Sequence, residues 1–113
     1  MKTRSELRRE YKASAPAMGV FVVRNLRNRR FELHATRNLK AGMSRLGFEI
    51  TPSTRPNREL QRDWESMGQD AFAIEVLDVL EPKDEPGWDP AEDLEQLKAL
   101  WHARLVGEGG TPY

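Results

Sequence analysis

Two strand-like segments near the beginning of the chain are joined by a short basic turn, and this spacing constrains the fold more than any other feature. The first segment, Gly19–Arg24, is rich in β-branched and aromatic residues. The second, Phe31–Thr36, alternates apolar and polar residues, as a half-buried strand does. The connection between them, NLRNR, is too short for the crossover that parallel strands need. We therefore expect an antiparallel β-hairpin.

The segments before and after the hairpin carry the signals of helices. Thr3 and Glu6 have the spacing of a capping box and open a short basic helix near the N-terminus. Asn38 is the expected N-cap of a helix over about residues 39–48. Asn57 is the expected N-cap of the next helix, which ends near residue 67 at Gly68.

The second half of the chain contains one further strand and a long amphipathic helix. Residues Phe72–Leu80 are predicted to form the strand, and an acidic linker, EPKDEPGWDP, follows it. Asp89 and Pro90 are typical of the first positions of a helix. The apolar stripe of this last helix comprises Leu94, Leu97, Leu100, Trp101 and Leu105.

These elements predict an α/β (α+β) sandwich in which helices flank a three-stranded antiparallel sheet, in the order α-β-β-α-α-β-α. Residues 1–17 would form a basic helix and connector, residues 18–106 the folded domain, and residues 107–113 an irregular tail.

The residue types present exclude several kinds of site. The chain has no cysteine, which excludes disulfides and thiolate metal sites. Its two histidines, His34 and His102, are far apart in sequence. The apolar runs are too short to span a membrane, and the N-terminus lacks the apolar segment of a signal peptide. We expect a cytoplasmic domain that does not engage a membrane.

The net charge of zero conceals a strong asymmetry along the chain. Residues 1–62 contain 15 Lys and Arg against 5 Asp and Glu, whereas residues 63–113 contain 3 against 13. Basic residues are concentrated in the hairpin and just after it: Arg24, Arg27, Arg29, Arg30, Arg37, Lys40 and Arg45. Such a cluster suits the phosphates of a nucleic acid, with DNA expected before RNA. Alternatively, these arginines pair with the acidic second half.

Several separated segments resemble the GIY-YIG nucleases in order and spacing. They are GVF on the first strand, ATRNL at the end of the second, PNRELQRDWESMGQDAFAIEVLDVLE, and EDLEQLKALWHARL in the last helix. The resemblance covers roughly residues 18–106 and points to a small bacterial branch of the family. It implies a single-metal site for phosphodiester hydrolysis on the sheet, built from two tyrosines, an arginine, often a histidine, and a glutamate.

The residues at those family positions differ from the family pattern. The two tyrosine positions fall on Phe21 and Glu32, the arginine on Gly42, the histidine on Leu46, and the glutamate on Lys98. Phenylalanine cannot exchange a proton, glycine brings no charge to a phosphate, and lysine repels a divalent cation. The sequence thus predicts the hairpin of such a site without its reactive groups.

Three functions follow from these residues. The first is a nuclease-like domain without cleavage activity that retains sequence-nonspecific nucleic-acid binding and needs no cofactor. The second is an active nuclease with a rearranged site, in which Mg²⁺ or another divalent cation is held by Glu32, His34 or Glu95. The third is a protein-interaction module that associates with itself or another protein through its opposed charges. We expect the first.

Overall fold

A computed structural model describes residues 16–50 and 57–113 of the chain, without the side chains of residues 46–50. This part contains four strands and three α-helices: β1 (Met18–Asn25), β2 (Arg30–Thr36), α1 (Leu39–Ile50), α2 (Arg58–Met67), β3 (Phe72–Leu80), α3 (Pro90–Gly107) and β4 (Thr111–Pro112). The helix predicted from Thr3 and Glu6 lies outside the described residues. None of the helices in the described part has both the length and the apolar character required to cross a membrane.

The strands form one mixed sheet in the order β3-β1-β2-β4. The predicted hairpin is confirmed, since β1 pairs antiparallel with β2 and places Phe21 opposite His34 and Val23 opposite Glu32. β3 pairs antiparallel with the other side of β1, with an irregularity between Val20 and Phe21. Three strands therefore lie where the sequence predicts them.

The fourth strand corrects two predictions, namely the three-stranded sheet and the irregular tail. β4 runs parallel to β2 at the edge of the sheet. The backbone N–H of Thr111 donates to the Arg29 carbonyl at 3.0 Å, and that of Tyr113 donates to the Phe31 carbonyl at 2.8 Å. A two-residue strand that contains a proline has no periodicity, so its pairing depends on backbone contacts that a local pattern does not reveal.

Side chains alternate between the two faces along each strand, and both faces carry apolar residues. Helices cover both of these apolar faces. On the face covered by α1 and α2, called here the α1/α2 face, the buried apolar residues are Phe21, Val23, Leu39, Leu60, Ala71 and Phe72. On the face covered by α3, called the α3 face, they are Val20, Val22, Phe31, Leu33 and Leu105. The domain is thus a helix–sheet–helix sandwich with two apolar layers.

Capping residues determine where the helices begin, as predicted. The side chain of Asn38 accepts a hydrogen bond from the backbone N–H of Ala41 at the start of α1. Asn57 caps α2 by accepting from Leu60, and Asp89 caps α3 by accepting from Ala91. Each cap satisfies an N–H that has no partner within its helix.

The apolar stripe of α3 is confirmed except at Leu100. Leu94 and Leu105 are buried, and Leu97 and Trp101 pack against the α3 face. Leu100 is 68% exposed. It precedes Trp101 by one residue, which places it about 100° round the helix from Trp101.

Candidate nucleic-acid interface

The basic turn between β1 and β2 has a well-defined conformation that depends on Asn25. The carbonyl of Asn25 accepts from the backbone N–H of Arg29 at 3.0 Å. Its side-chain oxygen accepts from the N–H groups of Arg27 and Asn28 at 3.0 and 3.4 Å. These bonds form an Asx-type turn. The arginines of the turn are therefore carried on an ordered backbone.

The side chain of Asn25 also connects the turn to α2 and to the end of β4. Asn25 is 1% exposed, and its Nδ2 donates to the Tyr113 hydroxyl at 3.0 Å. That hydroxyl donates to Asp63 Oδ2 at 2.8 Å, and Asn28 Nδ2 donates to the same carboxylate at 3.2 Å. Buried polar groups need partners of this kind. Sequence reasoning identified Asn25 only as a turn residue and missed Asp63 and Tyr113.

Tyr113 remains protonated in this network. Burial and the neighbouring Asp63 carboxylate together raise the pKa of Tyr113 to about 12, although the hydrogen bond from Asn25 opposes the shift. The hydroxyl can therefore keep donating to Asp63 throughout the neutral range. The network fixes the turn against α2 by hydrogen bonds that do not depend on the arginines.

Three of the seven predicted binding residues are engaged with carboxylates. Arg24 Nε lies 3.7 Å from Glu75. Arg30 pairs with Glu59 and also stacks over the ring of Tyr113, and Arg37 Nη2 lies 2.6 Å from Asp89. The pairs made by Arg24 and Arg37 join the basic and acidic halves of the sequence. Folding therefore offsets part of the charge asymmetry.

The other four predicted residues are exposed and have no carboxylate contact among the described residues. Arg27, Arg29, Lys40 and Arg45 are exposed. Within the described ranges none of them has an ion-pair partner, whereas other cations in these ranges do. An exposed cation without a fixed partner is available to a phosphate at little desolvation cost.

The predicted cluster is divided between the two ends of β2. Arg27 and Arg29 lie in the turn before the strand, whereas Arg37 and Lys40 follow its last residue. The seven residues of β2 extend about 20 Å at the usual rise of a strand. Residues that are near in sequence are thus separated in space, and a ligand must extend along the domain to contact both groups.

Helix α2 contributes two basic residues that sequence reasoning missed. Arg58 and Arg62 are exposed, and they have no carboxylate partner in the part of the chain that the structure describes. Their neighbours Glu59 and Asp63 contact Arg30 and Asn28 of the hairpin, so α2 lies beside the turn. The spacing of four residues, which places both arginines on one side of the helix, was the available signal. We call Arg27, Arg29, Arg58 and Arg62 the turn patch.

Two of the positions to which the resemblance assigns catalytic groups, Phe21 and Gly42, lie beside each other on the α1/α2 face, where they form a packed contact. Phe21 is 2% exposed, and its ring is stacked on that of His34 with centroids 5.0 Å apart. A Cβ atom on Gly42 would lie 3.2 Å from Phe21 Cε1 and 3.3 Å from the side chain of Thr36. The space beside Gly42 is therefore already filled, and a larger side chain requires its neighbours to move.

The other positions implied by the resemblance, Glu32, Leu46 and Lys98, do not complete a catalytic site around Phe21 and Gly42. Glu32 is on the same face, where its carboxylate contacts Nε2 of His34. Lys98 lies on α3, which packs against the opposite face of the sheet. The side chain of Leu46 lies outside the described residues. The structure thus places Phe21, Glu32 and Gly42 on one face of the sheet, whereas Lys98 lies on the helix that covers the other face.

The predicted metal candidates are likewise divided between the two faces. Glu32 and His34 contact each other on the α1/α2 face, whereas Glu95 is an exposed residue of α3. Among the described residues no three carboxylate, imidazole or thiol side chains converge on one point. His102 is also on α3, where its ring contacts Phe31 edge-on with centroids 5.9 Å apart.

In comparisons with known proteins, no family model, no curated protein and no solved structure matches this chain.

Proposed function

We propose that this chain is a GIY-YIG-like domain that binds nucleic acid without sequence preference and does not cleave it. The observation that carries the proposal is a set of exposed cations that have no carboxylate partner among the described residues: the turn patch together with Lys40 and Arg45 on α1. Contacts from such residues release the counterions condensed on phosphates, and this release supplies most of the free energy of nonspecific binding.

The positions of these cations favour an extended ligand. The turn patch and the beginning of α1 lie near opposite ends of β2, about 20 Å apart. Along one strand of duplex DNA this distance corresponds to about six phosphates. Phosphate contacts fix the position of a protein on the backbone and carry no sequence information. The proposed partner is therefore the backbone of a nucleic acid, with DNA preferred.

The absence of cleavage follows from the residues on the α1/α2 face. Phe21 has no hydroxyl, and Gly42 presents no charge to a phosphate. Hydrolysis of a phosphodiester needs a group that activates water and a cation that stabilises the developing charge. Losing one such contact typically lowers the rate about 10²–10³-fold.

A nuclease assay tests this part of the proposal. Labelled single-stranded and duplex DNA and RNA are incubated with the protein in Mg²⁺ or Mn²⁺, and we expect intact substrate in every case. A heat-inactivated sample measures background. Metal-dependent cleavage that co-purifies with the protein through two different columns would contradict the proposal.

A second candidate, an active nuclease with a rearranged site, is favoured by the contact between Glu32 and His34. A carboxylate that orients an imidazole is a common arrangement for a general base. The pair lies beside Phe21, at the position where the resemblance places the catalytic group. In that case Glu32→Gln and His34→Ala would each abolish a cleavage activity that the unmodified protein displays.

A third candidate, self-association, is favoured by the position of β3. In the described part of the chain this strand lies at one edge of the sheet, and its Val76 and Val79 are 45% and 47% exposed. Exposed edge strands are ready to pair with another chain. Sedimentation at several protein concentrations separates this candidate from the first, which needs no dimer.

A further inference from the structure

A cleft of about 290 Å³ lies between the hairpin turn and the C-terminal end of α3. Three arginines of the hairpin line it: Arg24 from β1, Arg29 from the turn and Arg30 from the start of β2. Arg30 is already paired with Glu59, so Arg24 and Arg29 are the two available to a ligand. The 60% exposed side chain of Leu26 is its accessible apolar part, whereas Phe31 and Leu105 lie at its base and are almost fully buried. The cleft therefore combines positive charge with an apolar surface.

Arg24 has unused hydrogen-bonding capacity at this cleft. Its Nε is shielded from solvent and has no hydrogen-bond partner among the described residues. Its distance of 3.7 Å from Glu75 allows an ion pair but exceeds a hydrogen bond. Guanidinium groups bind anions most strongly when several of their N–H groups donate at once. A bound anion would supply acceptors that Glu75 does not.

Arg29 has an unusual backbone conformation. Its φ is +63°, in the left-handed region, where glycine or asparagine is normally found. The conformation is held by the bond from its N–H to the Asn25 carbonyl and by the bond from Thr111 to its own carbonyl. Such a conformation persists where the surrounding structure holds it. Here it places the Arg29 side chain in the lining of the cleft.

The negatively charged groups near the cleft already have partners. Glu108 also lines it, but its carboxylate lies 3.7 Å from Arg104. The last carbonyls of α3 accept hydrogen bonds from the N–H groups of Gly109 and Gly110. These bonds satisfy groups that would otherwise present negative partial charge at the end of the helix.

We propose that this cleft binds a terminal phosphate monoester, with the attached nucleoside against the exposed side chain of Leu26. A monoester carries nearly two negative charges at neutral pH and matches two arginines, whereas a phosphodiester carries one. The ligand is either a free nucleotide or the phosphorylated end of a nucleic-acid strand. The second form rests on the proposed nucleic-acid binding and adds to it a preference for strand ends.

The test compares two versions of one short fluorescent oligonucleotide, one with a 5′-phosphate and one with a 5′-hydroxyl, by anisotropy. A separate titration compares a nucleoside 5′-monophosphate with the nucleoside. We expect the phosphorylated oligonucleotide to bind about tenfold more tightly, the effect of one good charge-assisted contact. The monophosphate should bind and the nucleoside should not.

The decisive variant is Arg29→Gly, with Arg27→Ala as its matched control. Both remove one positive charge from the same turn, but Arg27 does not line the cleft. Because glycine adopts the left-handed conformation without strain, Arg29→Gly should unfold in urea at the same or a higher concentration than the unmodified protein. It should nevertheless lose the preference for the 5′-phosphate, and Arg27→Ala should keep it.

The outcomes distinguish this proposal from the proposed function. Equal binding of both oligonucleotides, without binding of the monophosphate, would overturn the cleft proposal and leave nonspecific binding in place. Binding of the monophosphate alone, lost in Arg29→Gly, would support the cleft and overturn nucleic-acid binding. An equal loss of phosphate preference in Arg27→Ala would also overturn the assignment to the cleft.

Discussion

Replacing Tyr113 with phenylalanine removes a single oxygen from the network that fixes the basic turn. The hydroxyl donates to Asp63 at 2.8 Å and accepts from Asn25 at 3.0 Å. A hydrogen bond to a charged group contributes about 1.5–3 kcal/mol. Asp63 keeps its bond from Asn28 in the variant, so we expect the lower end, a loss of about 1.5 kcal/mol in the free energy of unfolding. For a chain of this length the loss lowers Tm by about 6 °C.

The same substitution should remove part of the alkaline sensitivity of the fold. The pKa of Tyr113 is raised in the folded protein from 10.0 to about 12. The unfolded chain therefore releases this proton at a lower pH than the folded chain does. The stabilisation is complete below about pH 10 and is lost as the pH rises to about 12. After discounting for its partial exposure, this loss amounts to about 1–2 kcal/mol.

Urea denaturation of Tyr113→Phe and of the unmodified protein, measured at about pH 8 and again near pH 12, tests both expectations. Titrations common to the two proteins cancel in the comparison. The variant should be less stable at the lower pH, and the difference should nearly vanish at the higher pH. Equal stability at pH 8, or a difference independent of pH, would refute the assigned hydrogen bonds.

Three further substitutions test other parts of the account. Asp89→Ser retains an N-cap for α3 but releases Arg37 from its 2.6 Å ion pair with Asp89. The affinity for DNA should therefore rise a few-fold, while the midpoint of urea unfolding changes little. A fall in the affinity for DNA would contradict this prediction. Phe21→Tyr should lower stability by about 1–3 kcal/mol in thermal unfolding and yield no cleavage, because it places a hydroxyl in a packed apolar layer. Gly42→Arg should also lower the free energy of unfolding, by about 1–3 kcal/mol, since its Cβ lies 3.2–3.3 Å from Phe21 and Thr36. A variant of unchanged stability would show that Phe21 and Thr36 move aside at little cost.

The sequence predicts the elements of the fold that have local signals. β3 has the predicted bounds, and the hairpin strands differ from theirs by one residue at one or both ends. Alternating apolar residues and short polar turns are features that a strand displays on its own. The caps Asn57 and Asp89 were equally readable, because a capping side chain acts on its own helix. Most of the features that were missed depend on distant partners; Arg58 and Arg62 are an exception, because their spacing on α2 was a local signal.

The candidate site depends mainly on such distant partners. β4 exists because Thr111 and Tyr113 meet the hairpin from more than 70 residues away in sequence. The seven basic residues look like one cluster in the sequence, but β2 separates them into two groups. The partners of Arg24 and Arg37 on distant elements could not be read from the sequence. The charge pattern of the sequence predicts an exposed basic surface, whereas the positions of its residues in space depend on the fold.

The dependence of DNA affinity on salt concentration tests the central claim most directly. If about four of the exposed cations engage phosphates, the slope of log affinity against log salt on duplex DNA should be roughly −3 to −4. The variant Arg27→Ala with Lys40→Ala should reduce the slope by about 2, because each lost contact contributes about 0.9. Lys83→Ala, which removes a cation already paired with Asp93 at 3.2 Å, should leave it unchanged. No binding at low salt, or a slope that the double variant does not alter, would contradict the account.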